Sequence, residues 1–357
     1  MEERKFTILG ETGSGKTCYL LGMYNEMTMG IAGYSTVIED KEVESRLADR
    51  YNKLADKTLG ANRFPKGTAQ EDTETITFTL QYANDKILPF HWVDYPGGFL
   101  DPTLRDTNNE KYQAVETSIN ESDMLFICID GSNLVEGNVR KKIRKVRDSC
   151  VKRINPYLGR RAKDGNPLPP IGLLITKWDL CKNYNTTTDL RDIIRGAFDS
   201  LFAGNNFIAI IPVSLGETLQ QNNYTGELDP INIHIPILLG FNFALIDFLK
   251  TSKLLIEKNT DLLDATKLQL AKEQNRWDIT RTIFGGISPE KLREMINSLN
   301  QDRESIRQIV GHFRESLAKI QKELQVVDSI FWKSHWLNEK EIEGFWRESQ
   351  SIAEYNF

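Results

Sequence analysis

The sequence predicts an α/β fold, with a mostly parallel sheet flanked by helices, followed by an all-α region shaped as a helical hairpin. Three observations carry this expectation. Up to about residue 250, short apolar runs alternate with helical patterns, as parallel strands joined by crossover helices do. A glycine-rich stretch, Gly10-Glu11-Thr12-Gly13-Ser14-Gly15-Lys16-Thr17, links the first apolar run to the first helical pattern. After Ser288, apolar residues recur at steps of three and four, the period of one helix face.

Taken in order, Lys5–Leu9 is the first expected strand, and a helix follows the glycine-rich stretch. Residues 30–70 form a long insertion whose middle, Lys41–Leu54, has a helical pattern and whose end, Phe64-Pro65-Lys66-Gly67-Thr68, reads as loop. Glu74–Tyr82 and Ile87–Asp94 flank the turn Ala83-Asn84-Asp85-Lys86, which predicts one antiparallel pair within the sheet. Met124–Asp130, Ile171–Thr176 and Phe207–Val213 complete the strands, and helices are expected after the first, third, fourth, fifth and sixth. A second insertion, Gly216–Pro236, is rich in Asn, Gly and Pro.

From about Ile237 the pattern is helical throughout, apart from Phe284-Gly285-Gly286-Ile287-Ser288-Pro289. Ser288 suits an N-cap and Pro289 a first helical position. The stripe then runs from Leu292 through Ile296, Leu299, Ile306, Val310, Phe313, Leu317, Ile320 and Leu324 to Val327, interrupted at Arg303. The chain is therefore divided into residues 1–250, carrying insertions near 30–70 and 216–236, and a coiled-coil-like helical region, 251–357.

Composition bounds the function. The 357 residues suffice for two domains, and 40% apolar with 27% charged residues is ordinary for a globular protein. A net charge of −5 gives no reason to expect a nucleic-acid binder overall. Cys18, Cys128, Cys150 and Cys181 form no CxxC pair, which removes support for zinc or redox chemistry and fits a reducing compartment. No apolar leader precedes the glycine-rich stretch, and the apolar run Ile231–Leu249, holding His234, Pro236 and Asp247, reads as core, so a cytoplasmic protein is expected.

Four motifs carry chemistry. Gly10 to Thr17 fits G-x-x-x-x-G-K-[ST] in full, between a strand and a helix. Its glycines allow backbone N–H groups to turn inward around a β-phosphate, Lys16 reaches the β- and γ-phosphates, and Thr17 offers a hydroxyl to Mg²⁺. Asp94-Tyr95-Pro96-Gly97 ends a buried strand with D-x-x-G, placing a carboxylate near the same cation and the Gly97 amide near a γ-phosphate; an ordinary strand-ending turn gives the same letters. Thr176-Lys177-Trp178-Asp179 follows another strand. The Asp179 carboxylate can accept from N1–H and N2–H of guanine, which adenine lacks, while the Lys177 stem lies along the base. Val213-Ser214-Leu215-Gly216 can offer backbone N–H groups to guanine O6.

In this order, GETGSGKT, DYPG, TKWD and VSLG make residues 5–250 resemble the Ras-like, translation-factor-related P-loop GTPases. The FPKGT segment behind a wide insertion is more specifically similar to GTPases of bacterial conflict and defence systems. The resemblance implies a sheet-based G domain that binds GTP or GDP with Mg²⁺ and switches through γ-phosphate contacts. It implies nucleotide contacts from Gly10 through Thr17 and Cys18, and from Thr176, Lys177, Asp179, Ser214 and Leu215. It implies Thr17, Thr68 and Asp94 around the metal, and Lys16, Thr17, Thr68, Asp94 and Gly97 in catalysis. Thr68 is preferred to Thr58 as the switch threonine, with Thr73 and Thr75 as alternatives. One departure is Gly98, which stands where many family members have the water-orienting glutamine. It implies slow hydrolysis or a group supplied by a partner, a second protomer or a residue such as Arg105.

Two features stand apart from the motifs. Arg140–Lys163 holds eleven basic residues and one acid, Asp148, and reads as a solvated cationic face in preference to a site for nucleic acid or another anionic surface. The aromatic tail Phe331–Leu337, with Phe345 and Trp346, either docks on a partner or packs on the helices. The functional expectation is a GTP-hydrolysing switch that signals to a protein partner through its C-terminal helices. The alternatives are a non-hydrolysing GTP-dependent scaffold in a multiprotein complex and a dynamin-like membrane-active GTPase.

Overall fold

In the computed structural model, residues 3–66, 74–83, 85–95, 110–163, 168–181, 187–217, 219, 224–274 and 288–354 are described. The chain divides into two compact units, Met1–Phe241 with Lys322–Glu343, and Asn242–Gln321 with Gly344–Phe357.

The first unit is built on a mixed nine-stranded sheet. Its strands are β1 (Arg4–Leu9), β2 (Tyr34–Val37), β3 (Glu74–Tyr82), β4 (Asp85–Asp94), β5 (Met124–Asp130), β6 (Ile171–Thr176), β7 (Ile208–Pro212), β8 (Ser329–Trp332) and β9 (His335–Trp336). Their spatial order is β2-β3-β4-β1-β5-β6-β7-β8-β9. The centre, β4-β1-β5-β6-β7, is parallel, and both flanks are antiparallel. Every residue of β6 is buried, as are all but the last of β5, which is why these strands read as unbroken apolar runs.

Helices α1 (Lys16–Met29), α2 (Lys41–Ala55), α3 (Glu110–Glu121), α4 (Ser132–Val135), α5 (Val139–Val146), α6 (Lys152–Lys163) and α7 (Thr187–Ala197) lie in the connections. The α1 helix carries apolar residues all round and is buried from Tyr19 to Tyr24. The Asp40 carboxylate caps α2 by accepting from the Glu42 and Val43 amides. Between α5 and α6 runs a π-helical turn, Arg147–Val151. The basic segment buries Val146, Cys150, Ile154 and Leu158, while Asp148 pairs with Arg144 and Lys152 on the outside. The basic side of the segment is thus exposed and its apolar side buried.

Phe6, Phe78, Phe90 and Phe241 form one aromatic core, with Phe78 stacked on Phe90 at 5.2 Å and Phe241 edge-on to Phe90 at 5.0 Å. The apolar run starting at Ile231 supplies the start of helix α8 (Ile235–Gln274), whose residues Ile237, Leu238, Leu239, Leu245 and Leu249 are buried. It is the one helix among the described residues long and apolar enough to cross a membrane, and 72% of its apolar window is buried.

Three strands were not foreseen. β2 is only four residues long and follows Gly33 at φ 87°. β8 pairs antiparallel with β7, Phe331 facing Ile208, and β9 folds back on it through Lys333 and Ser334, both left-handed at φ 49° and 69°. Residues 329–336 therefore extend the sheet, where a helical pattern was expected. Phe331 packs edge-on to Phe202 at 4.9 Å and to Trp336 at 5.6 Å. The β3–β4 turn is also tighter than expected, since β4 begins at Asp85, opposite Tyr82.

In the second unit, helix α9 (Pro289–Glu323) buries the expected stripe at Leu292, Val310, Phe313, Leu317 and Ile320. It runs antiparallel to α8: Gln321 Nε2 donates to Asn242 Oδ1 at 3.2 Å, and Phe313 meets Phe248 edge-on at 4.7 Å. The Gly285-Gly286 turn lies outside the described residues. Helix α10 (Glu339–Glu354) ends the described chain.

Candidate nucleotide site

Parallel strands bring their carboxyl ends to one edge, and the motifs sit there. The glycine-rich loop follows β1, while Asp94, Asp130 and Thr176 are the last residues of β4, β5 and β6. Register places Ile8 beside Asp94 and Asp130 beside Thr176. Ser214 lies just beyond β7.

The loop wraps as its residue types require. Gly13 and Gly15 take φ 82° and 89°, where a side chain is strained, and a Cβ on Gly15 would press on Thr176 at 3.3 Å. The Lys16 side chain curls back across the loop, its ammonium donating to the Gly10 and Glu11 carbonyls at 2.9 and 3.1 Å. An ammonium has three N–H donors, so one remains for a ligand. Thr176 braces the loop from behind, its hydroxyl 2.7 Å from the Ser14 carbonyl and 3.2 Å from that of Ile129.

Thr12, Gly13, Gly15, Lys16, Thr17 and Cys18 line a cavity of about 430 Å³, and Thr176, Lys177, Asp179, Ser214 and Leu215 line the same cavity. Gly10, Glu11 and Ser14 shape the loop without lining the cavity. The Lys177 ammonium donates to Asp130 Oδ2 at 2.6 Å and to the Gly13 carbonyl at 3.1 Å. Both anchors hold the head and leave the aliphatic stem as a ledge. Asp179 Oδ1 accepts from the Ser214 hydroxyl at 2.6 Å, and Ser214 Oγ accepts from the Gly216 amide at 3.1 Å. The carboxylate is thus oriented before any ligand arrives, with lone pairs to spare. Burial pushes the Cys18 thiol up to about 11, so it is a protonated, unreactive wall at neutral pH.

Asp94 is 5% exposed, and its Oδ1 has no hydrogen-bond partner among the described residues. Burial raises its carboxyl to about 6, with Lys16 and the Thr17 hydroxyl pulling the other way. A buried carboxylate oxygen without a partner, beside a threonine hydroxyl, is a hard-oxygen donor set that suits Mg²⁺. No three His, Cys, Asp or Glu among the described residues cluster as a metal site by themselves.

Thr68 and Gly97 lie outside the described residues, as do Thr73, Gly98 and Arg105. Thr58 donates its hydroxyl to the Asp56 carboxylate that caps the turn, at 2.6 Å, and Thr75 is a strand residue opposite Val93. Sequence reasoning missed Asp130, whose only signal was an acid ending an apolar strand. It also missed the wall formed by Phe64 and Pro65 from the first insertion and Leu219 and Tyr224 from the second.

Compared with known proteins, residues 6–218 match the family profile described as Double-GTPase 2. No curated protein matches the chain. Similar solved structures include Era in complex with MgGDPNP and a segment of 16S ribosomal RNA, at 14% identity and a TM-score of 0.31, covering 65% of this chain and 59% of that one. A variant of Era from Aquifex aeolicus bound to GDP and tetrafluoroaluminate is 12% identical, with a TM-score of 0.30 and coverage of 70% and 68%. At these values both likenesses are loose.

Proposed function

Because this chain belongs to the Double-GTPase 2 family, we propose that it binds GTP with Mg²⁺ and hydrolyses it as a molecular switch, signalling to a protein partner through its C-terminal helices. The observation that carries this reading is the one cavity lined both by Lys16 of the glycine-rich loop and by the Ser214-oriented Asp179.

The loop amides and the start of α1 receive the polyphosphate, and Lys16 turns its remaining proton to it. Asp179 accepts from the guanine N1–H and N2–H while the Lys177 stem supports the ring. Thr17 and Asp94, with Thr68, hold the cation. Bound Mg²⁺ supplies charge neutralisation at the terminal phosphates. Ordering of the segments around Thr68 and Asp94–Gly97 by the γ-phosphate is the switch. The four scattered free cysteines support a cytoplasmic setting.

Purified protein given GTP and Mg²⁺ is expected to form GDP slowly under single-turnover conditions, and Lys16→Ala to abolish both binding and turnover. ATP bound as tightly as GTP would refute the role of Asp179. Gly98 favours a second reading, a GTP-dependent scaffold that does not hydrolyse. Guanine-specific binding without GDP formation, with and without candidate partners, would select it.

A further inference from the structure

The two insertions meet over the cavity, and one side chain joins them. Arg63 lies in the 3₁₀ turn Lys57–Arg63 that follows α2 and is only 1% exposed. Its Nε donates to the Leu54 carbonyl at 2.5 Å, fixing the turn to the end of α2. Its Nη1 crosses to the second insertion and donates to the Tyr224 and Gly226 carbonyls, at 3.1 and 2.7 Å. A guanidinium is costly to bury, and here three main-chain carbonyls accept from its Nε and Nη1, while its Nη2 has no partner among the described residues. Such an arrangement specifies one geometry.

That geometry places the next residue, Phe64, edge-on to Tyr224 with ring centroids 5.6 Å apart, and both rings line the cavity. An ion pair between Lys57 and Glu227 closes the same seam on the outside. Lys177, Asp179 and Ser214 line the cavity too, so the seam and the guanine-reading groups share one chamber.

We propose that Arg63 is a positioning residue for nucleotide retention: by stapling the insertion that leads to Thr68 onto the loop that follows Ser214, it holds Phe64 and Tyr224 as a wall that bound guanine nucleotide must displace to leave. The inference rests on the nucleotide reading above. It makes release, and not recognition, the property that the staple sets.

The test follows dissociation of a fluorescent mant-GDP from full-length protein after chase with unlabelled GDP. Arg63→Ala is expected to speed release at least tenfold and to leave the preference for GTP over ATP unchanged, since Asp179 is untouched. Arg63→Lys, which cannot span both insertions, should fall between. Two further perturbations keep the test decisive if Arg63→Ala fails to fold. Tyr224→Ala preserves the carbonyl that Arg63 uses but removes half of the wall, so it too should speed release. Lys57→Glu and Glu227→Lys should each speed release by a few-fold, and the double exchange should restore the wild-type rate. Wild-type release rates in Tyr224→Ala and in both single charge reversals would overturn the staple while leaving guanine binding intact. A wild-type protein that binds no guanine nucleotide would instead overturn the reading on which it rests.

Discussion

Asparagine at position 94 is expected to stabilise the nucleotide-free protein while disabling it. Burial raises the Asp94 carboxyl from 3.8 to about 6, so at neutral pH the fold holds an ionised group that it would prefer protonated. The gap corresponds to about 3 kcal/mol, at roughly 1.4 kcal/mol per pKa unit. The sign follows from linkage. Between the unfolded and folded pKa values the folded state binds more protons than the unfolded state, so stability falls as pH rises through this window and stays reduced above it. Below pH 3.8 both states are protonated and the penalty vanishes. Asparagine never ionises, and its amide oxygen can still accept from Thr17. The advantage of Asp94→Asn should therefore be near zero at pH 4, grow up to about pH 6 and remain at roughly 3 kcal/mol beyond. For a domain of this size that is about 5–10 °C in Tm. Thermal unfolding in EDTA from pH 4 to 8 measures it directly. The same variant should lose the tightening of GTP binding by Mg²⁺. A variant less stable than wild type at pH 7, or a difference flat across pH, would refute the account of Asp94 as a charge stored for a cation.

Asp179→Asn should weaken GTP binding by about 100-fold or more and improve binding of xanthosine triphosphate, because xanthine carries at C2 a carbonyl that an amide can donate to; competition against mant-GDP reads both. Phe331→Ala removes a fully buried ring between Phe202 and Trp336 and should cost about 3–5 kcal/mol in chemical denaturation, a loss no docking segment would show. In the second unit, Asn242 Nδ2 and Gln321 Oε1 have no hydrogen-bond partner among the described residues, although the two side chains are bonded to each other. Gln321→Leu alone should therefore destabilise by about 1–3 kcal/mol, whereas the double change with Asn242→Leu should recover most of that, as measured by urea unfolding.

How legible the molecule was depends on how local the determinants are. β5 and β6 announced themselves because a strand buried on both faces is apolar at nearly every position, and their observed limits, Met124–Asp130 and Ile171–Thr176, are those expected. The stripe on α9 was legible for the same reason, since a helix face has a fixed period. β8 and β9 were not, because their turn uses Lys333 and Ser334 at positive φ, where glycine or asparagine is the recognisable signal, and because β8 acquires its partner β7 from more than a hundred residues upstream. Strand pairing at that separation leaves no mark in the local pattern.

The site shows the same division, and it bears on function. The motifs gave the residue types at each strand end, but not how these groups are held. On the proposed reading, Lys177, pinned by Asp130 and Gly13, and Asp179, oriented by Ser214, are arranged for guanine without ligand, and little ordering cost remains for binding. At the phosphate end, Asp94 is buried with an oxygen unpartnered. On the same reading the free energy gained on loading would be concentrated where the proposed cation and terminal phosphate arrive, and that end would change most between a triphosphate and its hydrolysis product. A pocket preorganised for the base and unsatisfied at the phosphate recognises guanine in either state but responds to the third phosphate, which is the physical requirement for a switch.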